Sequence, residues 1–342
     1  MSGEAPSVLD GAIAPQRNTN LFGHAEAEDF LARSYRSGKG HHAILIEGPE
    51  GIGKATLAFR FANHVLTHPD PSTAPDRLSP PDPDSMVSRQ IVAGASHNLL
   101  HLTRPVDDKT GRAKSAITVD EVRRAGHFLS QTSGSGSWRI VIVDPADDLN
   151  RNAANAILKI LEEPPKRALF LVLSHAPGKL LPTIRSRCLP LRLQPLSNDD
   201  LALALETLGA PLDSGRMAQE IAGLAKGSVA QALKLMNYGG HDIIQAFEDV
   251  LKAQGPGARK AMHRLADVLS GKDNDVLFGF FVEHLTEHLV EQARARAQAG
   301  DLAGADRAAR LSSEVGERIA VAQAYNLDRK QTILSILEEV RA

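Results

Sequence analysis

Five short apolar runs stand out along the first 195 residues, separated by segments of mixed polarity. Runs of this length, rich in Ile, Val and Leu, are typical of strands that are covered on both faces of a parallel sheet. Because they alternate with helical patterns, they predict an α/β fold with a mostly parallel sheet, from Leu21 to about Pro195. The five runs are Ala43–Ile46, Leu99–Leu102, Ile140–Val143, Ala168–Leu173 and Leu189–Leu193.

Two helices are predicted between these runs. Thr118-Val-Asp-Glu121 has the pattern of a capping box, which predicts a helix start followed by a helix through Phe128. A second helix is predicted near Ala153–Leu161 and should stop before Pro164 and Pro165, because proline breaks a helix interior. Its apolar residues repeat on one face, as Ala154, Ile157, Leu158 and Leu161.

The other segments have different patterns. Residues 1–20 are small and polar and predict a flexible arm, whereas residues 67–88 carry six prolines and predict a mobile surface insertion. Residues 197–239 indicate a small helical domain, with glycine breaks at Gly209, Gly223 and Gly227.

Residues 240–342 have a wholly helical pattern and predict a separate domain. Two apolar stripes support this prediction. They consist of Val276, Leu277, Phe280, Phe281, Leu285 and Leu289 in one helix, and of Ile333, Leu334, Leu337 and Val340 in the last.

Composition narrows the function classes. The chain has 342 residues, with 39 basic and 41 acidic side chains and 4% aromatic residues. The chain has neither the basic excess nor the aromatic platforms that a stand-alone nucleic-acid module would need. One cysteine excludes an internal disulfide framework and fits a reducing compartment. No apolar stretch reaches the roughly 18 residues of a membrane span, and no signal peptide is evident, so we expect a cytoplasmic protein without a membrane role.

A glycine-rich loop follows the first apolar run. Gly48-Pro-Glu-Gly-Ile-Gly-Lys54-Ala55-Thr56 matches the phosphate-loop pattern G-x-x-x-x-G-K-[ST] except at its last position. The glycines, which include Gly51 and Gly53, allow backbone N–H groups to turn toward phosphate oxygens, and Lys54 would reach the β- and γ-phosphates. The alternative is a strand–turn–helix that uses glycine only for its geometry.

The loop lacks the hydroxyl that should bind Mg²⁺, because Ala55 follows Lys54. Thr56 is no simple substitute, since one residue along a helix turns the side chain by about 100°. A second defect follows the run at 140–143, where Asp144 is in place but Pro145 stands at the position of a catalytic glutamate. We therefore predict a degenerate nucleotide site, which could be empty, formed by Gly48, Gly51, Gly53, Lys54 and Asp144.

Other reactive side chains have simpler interpretations. Cys188 and His175 could suggest a thiol nucleophile, but no orienting group or oxyanion turn accompanies them, so a small buried thiol is favoured. Two histidine pairs have a spacing that can bind metal, although neither has an HExxH-type glutamate or a cysteine cluster. The pairs are His64 with His68 and His97 with His101. No metal site is predicted.

Several motifs together resemble the delta-prime family of bacterial DNA polymerase III clamp-loader subunits, from about residue 15 to the C-terminus. The most specific are the run that ends in Leu161-Glu-Glu-Pro-Pro165 and the triplet Ser186-Arg187-Cys188. The others are Leu21-Phe-Gly-His24, Gly48–Lys54 and Val119-Asp-Glu-Val-Arg123.

The resemblance implies an AAA+ module over 21–196, a helical lid over 197–239 and a helical collar over 240–342. It also implies a stator that needs no cofactor of its own and assembles with gamma or tau and with delta. Primer-template DNA and the sliding clamp would be reached through the complex. Arg187, rather than Arg185, would act as an arginine finger on ATP held by a partner subunit.

Two departures from the family pattern matter. Many relatives carry four cysteines of a zinc module after the phosphate-loop helix, but residues 67–88 contain none, so no zinc is expected. Ala230 stands where ATPase subunits bear a phosphate-sensing arginine. The alternative function is a catalytically active ATPase of the gamma or tau type, which would need a hydroxyl at 55 and a glutamate at 145.

Overall fold

The structure is a computed structural model that describes residues 9–107, 111, 113–130, 137–212, 216–271 and 274–341. The chain divides into two compact units, Met1–Ala232 and Leu233–Ala342. The first contains the sheet and all of the predicted site residues. The predicted boundaries of arm, lid and collar stay predictions.

A five-stranded parallel sheet forms the centre of the first unit, in the order β2-β3-β4-β1-β5. All five predicted strands are confirmed, and their ends move by no more than one residue. They are β1 (Ala43–Glu47), β2 (Leu99–Leu102), β3 (Arg139–Val143), β4 (Ala168–Ser174) and β5 (Leu189–Arg192).

Nine helices of the first unit begin in the described residues. They are α1 (Ala25–Arg36), α2 (Lys54–Thr67), α3 (Met86–Val92), α4 (Val119–Ser130), α5 (Arg151–Glu162), α6 (Pro182–Arg185), α7 (Asn198–Thr207), α8 (Arg216–Ala225) and α9 (Val229–Asn237), the last of which crosses the unit boundary. The two predicted helices, here α4 and α5, are confirmed. Asn150 caps α5 by accepting from Ala153 N at 2.9 Å.

Burial on both faces of the sheet explains why the central strands have continuous apolar sequences. Successive side chains of a strand point to opposite faces, so Ile44 and Ile46 pack in one cluster with α1 and α2. Ala43 and Leu45 pack in a second cluster with α4 and α5. Each face of β1 is therefore covered by helices.

The prediction that every strand is covered on both faces is wrong for the two edges. Strands β2 and β5 are only partly buried, and Pro190 and Arg192 of β5 are exposed. Pro190 is tolerated because an edge strand leaves one side of its backbone without a ladder partner. Apolar composition alone could not separate edge from centre.

Two local predictions need correction. Gly223 is not a helix break but lies inside α8, where one glycine costs only about 1 kcal/mol. The proline-rich segment 67–88 is not without order, because Ala74 and Leu78 are buried in the first cluster. Ser85 at its end caps α3 by accepting from Ser88 N. The predicted mobility of the segment stays a prediction.

The second unit is helical throughout its described residues, as predicted. Its helices are α10 (Gly240–Lys252), α11 (Pro256–Leu269), α12 (Asp275–Gln298), α13 (Leu302–Ala324) and α14 (Arg329–Arg341). The stripe of α12 is confirmed except for Val276, which is 42% exposed, while Phe278 is buried instead. The stripe of α14 packs in the core of this unit.

Phe170 on β4 is fully buried between the helical layers, so Phe170→Ala should destabilise the first unit by about 3–5 kcal/mol. Phe30→Ala is the matched control, because Phe30 on α1 is 40% exposed and should change stability by less than about 0.5 kcal/mol. The measurement is urea unfolding followed by the fluorescence of Trp138, the single tryptophan, which lies in this unit. Equal urea midpoints for the two variants would show that Phe170 is not part of a packed core.

Candidate functional site

The glycine loop lies between a buried strand and a long helix, as its sequence predicts. Strand β1 ends at Glu47, and α2 begins at Lys54 after an N-cap Gly53 with φ of 103° and no side-chain capping bond. The first-turn N–H groups of a helix have no partner within the helix, which makes this end suited to an anion. Gly48, Gly51 and Gly53 therefore occupy the predicted phosphate loop.

Lys54 is folded back onto the loop. Its Nζ donates to the carbonyl oxygens of Gly48, at 2.7 Å, and of Pro49, and the residue is 4% exposed. Burial lowers the pKa of Lys54 to about 8, and the nearby carboxylates of Asp144 and Glu50 oppose that shift. At pH 7 the ammonium is thus still a cation, held among acceptors of its own chain.

A segment nearly 180 residues further along the chain closes over the same loop. Ser228 Oγ donates to the Glu50 carbonyl at 2.8 Å, and the backbone N–H of Val229 donates to the Gly51 carbonyl at 3.0 Å. Ala230 lies so close that a Cβ added at Gly51 would overlap its side chain. We call Ser228, Val229 and Ala230 the latch. It was not predicted from the sequence.

His24 completes the set of donors. Its Nε2 lies 2.6 Å from the Ile52 carbonyl, and since a carbonyl only accepts, this nitrogen carries the hydrogen. His24 is itself buried. Together with Lys54 and the latch, it gives every carbonyl from Gly48 to Ile52 a donor, which fixes the loop in one conformation.

Asp144 follows β3, as predicted, but faces an imidazole. Its Oδ2 lies 3.2 Å from His101 Nε2 on the neighbouring strand β2, and the His101 ring packs edge-on against Phe59. The Asp144 carboxylate also lies near enough to Lys54 to oppose the fall in the pKa of the lysine. His101 therefore lies beside Asp144 at the site.

Asp147 is a site residue that no sequence motif predicted. Its carboxylate accepts from Ser174 Oγ at 2.8 Å and from the backbone N–H groups of His175, at 2.6 Å, and Ala176. It thereby fixes the end of β4 beside the loop. Partial burial lowers the pKa of His175, and the nearby Lys54 ammonium lowers it further.

These residues do not fit a hydrolytic Mg·ATP site. Ala55 offers no hydroxyl at the helix start, and Thr56 is turned into the buried side of α2. Pro145 can neither accept a proton nor orient water. What remains is the cation of Lys54 next to a helix N-terminus, which is chemistry that can hold an anion and lacks the groups that would cleave one.

Arg187 lies elsewhere, on the turn between α6 and β5. Its Nη2 pairs with Glu162 Oε1 at 2.6 Å, and its Nη1 donates to the Thr183 carbonyl at 2.9 Å. The Ser186 hydroxyl donates to the same carbonyl, and Cys188 is buried in the second cluster. The three consecutive residues thus close the turn, present a guanidinium and anchor the turn in the core.

The remaining candidates have structural roles. Cys188 is 7% exposed and burial raises the pKa of its thiol to about 12, which is contrary to a nucleophile. Burial lowers the pKa of His64 to about 4, and its ring packs against Tyr35 and His68. Among the described residues, no group of three or more His, Cys, Asp or Glu is arranged to hold a metal ion.

The parallel sheet, the glycine loop after β1 and the helix that follows it define a phosphate-loop protein. The model of the family described as "DNA polymerase III, delta subunit" matches residues 23–197, which is about half of the chain. The chain therefore belongs to that family. None of the helices within the described ranges has both the length and the hydropathy needed to cross a bilayer.

Relatives extend the comparison. The chain is 32% identical over 218 residues to DNA polymerase III subunit delta' of Pseudomonas aeruginosa, which covers 62% of each protein. It is 29% identical over 234 residues to subunit tau of Escherichia coli, covering 67% of this chain and 34% of tau. A solved gamma-subunit-related protein of Thermotoga maritima is 18% identical with a TM-score of 0.45, over 91% of this chain and 98% of the other.

The latch predicts that Gly51 tolerates no side chain. Gly51→Ala and Gly38→Ala both place alanine at a positive φ, 75° and 68°, but a Cβ at Gly38 meets no atom within 4 Å. Gly38→Ala should therefore cost about 1 kcal/mol, and Gly51→Ala about 1–3 kcal/mol more. Urea unfolding followed by Trp138 fluorescence measures both. Equal destabilisation would mean that the latch does not contact the loop.

Cys188, the single cysteine, should be nearly inert in the folded protein. A rise of its pKa from 9.0 to about 12 lowers the thiolate fraction at pH 8 by a factor on the order of 10³. Alkylation by iodoacetamide should be slower by at least that factor in the native protein than in guanidinium chloride, as measured by mass. Similar rates in the two solvents would show that the thiol is not buried.

Proposed function

We propose that this chain is a non-hydrolysing stator subunit of the DNA polymerase III clamp loader. In this proposal it assembles in the cytoplasm with gamma or tau and with delta, and it meets primer-template DNA and the sliding clamp through the complex. Its chemical contribution is Arg187, which it donates to ATP held by a neighbouring subunit. It requires no cofactor or zinc of its own.

One contrast carries the proposal. The chain's own loop is clamped by protein donors and has no metal-binding hydroxyl at Ala55 or glutamate at Pro145. Arg187, by contrast, keeps a third of its side chain exposed on an anchored turn. A subunit with this pattern can complete a neighbour's site while it leaves its own silent.

An arginine suits such a role for electrostatic reasons. Negative charge develops on the γ-phosphate oxygens during transfer, and a guanidinium delivered from another subunit can stabilise it with several directed N–H donors. In GTPases, fingers of this kind accelerate hydrolysis by about 10³–10⁵. Lysine would supply a point charge without the planar fork.

The second candidate function is an ATPase subunit of the gamma or tau type. It is favoured by the similarity of this chain to tau and to a gamma subunit of Buchnera aphidicola, with which it shares 27% identity over 238 residues. Against it stand Ala55, Pro145 and Ala230. ATPase activity of the purified chain alone that disappears in Lys54→Ala would support this second function.

Arg187→Ala in the reconstituted complex should lower the clamp- and DNA-stimulated ATPase by at least tenfold, because one transition state loses its trans cation. The matched control is Arg185→Ala, two residues earlier on the exposed end of α6, which should leave turnover unchanged. Native mass spectrometry of each complex checks that all subunits are present.

Unchanged turnover in an assembled Arg187→Ala complex would reject the finger. An equal loss of turnover in both variants would indicate that the positive charge of the turn, or its part in assembly, is what turnover needs, and not the guanidinium of Arg187.

A further inference from the structure

We propose that Glu162 is a positioning residue for Arg187, holding its guanidinium in the orientation in which it meets the neighbour's ATP. This inference rests on the proposed function, since it assigns to Arg187 its trans role. The ion pair of Arg187 Nη2 with Glu162 Oε1, at 2.6 Å, is the observation from which it starts.

The guanidinium is held at two points. Besides the carboxylate of Glu162, the Thr183 carbonyl accepts from Nη1 at 2.9 Å. Two acceptors on different nitrogen atoms of one planar group fix both its position and the direction of its plane. A single contact would leave the group free to rotate.

Both holders are themselves anchored. Glu162 is the last residue of α5, directly after Leu161, which is 1% exposed in the second core cluster. Arg187 directly precedes Cys188, which is buried in the same cluster. The ion pair therefore joins two residues whose sequence neighbours, Leu161 and Cys188, are buried in the same core cluster.

The two bonds leave donors available. A guanidinium has five N–H donors, and the contacts with Glu162 and Thr183 use one on each terminal nitrogen. The remaining edge can still donate to phosphate oxygens, and the side chain is 34% exposed. Glu162 and a phosphate can thus bind the same guanidinium at once.

The pair is poorly explained as a stabilising interaction of the fold. The Glu162 side chain is 48% exposed, and exposed ion pairs contribute little to stability because water and salt screen them. If the ion pair orders the flexible Arg187 side chain before ATP arrives, however, the entropy of ordering it is not lost in the catalytic step. This predicts an effect on turnover with little effect on folding.

The test uses the reconstituted complex with Glu162→Ala, Glu162→Gln and Glu163→Ala. Glu162→Ala should lower kcat of the stimulated ATPase by about 10-fold, and by no more than Arg187→Ala does, with KM for ATP little changed, since misplacing a catalytic group affects the transition state most. Glu162→Gln keeps one acceptor oxygen and should fall between wild type and Glu162→Ala. Glu163→Ala removes the same charge one residue later and should match wild type.

A double variant separates positioning from other roles. If Glu162 acts through Arg187, Glu162→Ala combined with Arg187→Ala should be no slower than Arg187→Ala alone. If the two losses multiply instead, Glu162 acts independently and the inference is overturned.

The failures can be told apart. Unchanged turnover in Arg187→Ala would overturn the proposed function and this inference with it. A loss in Arg187→Ala together with wild-type or faster turnover in both Glu162 variants would overturn only the positioning role. Assembly of each complex is checked by native mass, and Glu162→Gln serves as the readout should Glu162→Ala fail to assemble.

Discussion

The contact between the latch and the phosphate loop is the interaction on which the site depends. A phosphate loop owes its chemistry to backbone N–H groups that face a ligand, and that requires its carbonyls to face elsewhere. In this chain the carbonyls of Glu50 and Gly51 face the latch, where Ser228 and Val229 donate hydrogen bonds to them. Contacts within the protein therefore set the shape of the loop.

This constraint separates the two halves of the chemistry. At the loop, Lys54 has its acceptors within the chain, Asp144 has His101, and Asp147 is occupied with the end of β4. At the α6 turn, Arg187 stays accessible on a buried anchor. The charged groups at the loop are held by partners within the chain, whereas Arg187, although it pairs with Glu162, keeps 34% of its side chain exposed.

Much of the fold follows from local sequence. The strands were predictable because covered parallel strands need continuous apolar runs, and β1 shows why, with its successive side chains filling opposite layers. The defects at Ala55 and Pro145 were also readable, since each belongs to a motif of fixed short spacing. Cys188 was correctly interpreted as a buried thiol, because no residue near it in the sequence could activate a nucleophile.

The rest depends on contacts between distant residues. Ser228 and Glu50 are 178 positions apart, and no pattern in either segment shows that they meet. The spacing of His97 and His101 gave no hint of a partner for His101, but β2 lies next to β3 and so brings it to Asp144. Likewise, the strand order that makes β2 and β5 edges is a property of the assembled sheet. Sequence spacing could not supply any of these.

The most direct test of the central claim is the ATPase turnover of the complete complex when this chain carries Lys54→Ala. If the loop is silent as proposed, turnover per complex should be unchanged, provided that native mass shows all subunits present. A fall in turnover in the intact complex would contradict it, since the loop would then be an active site.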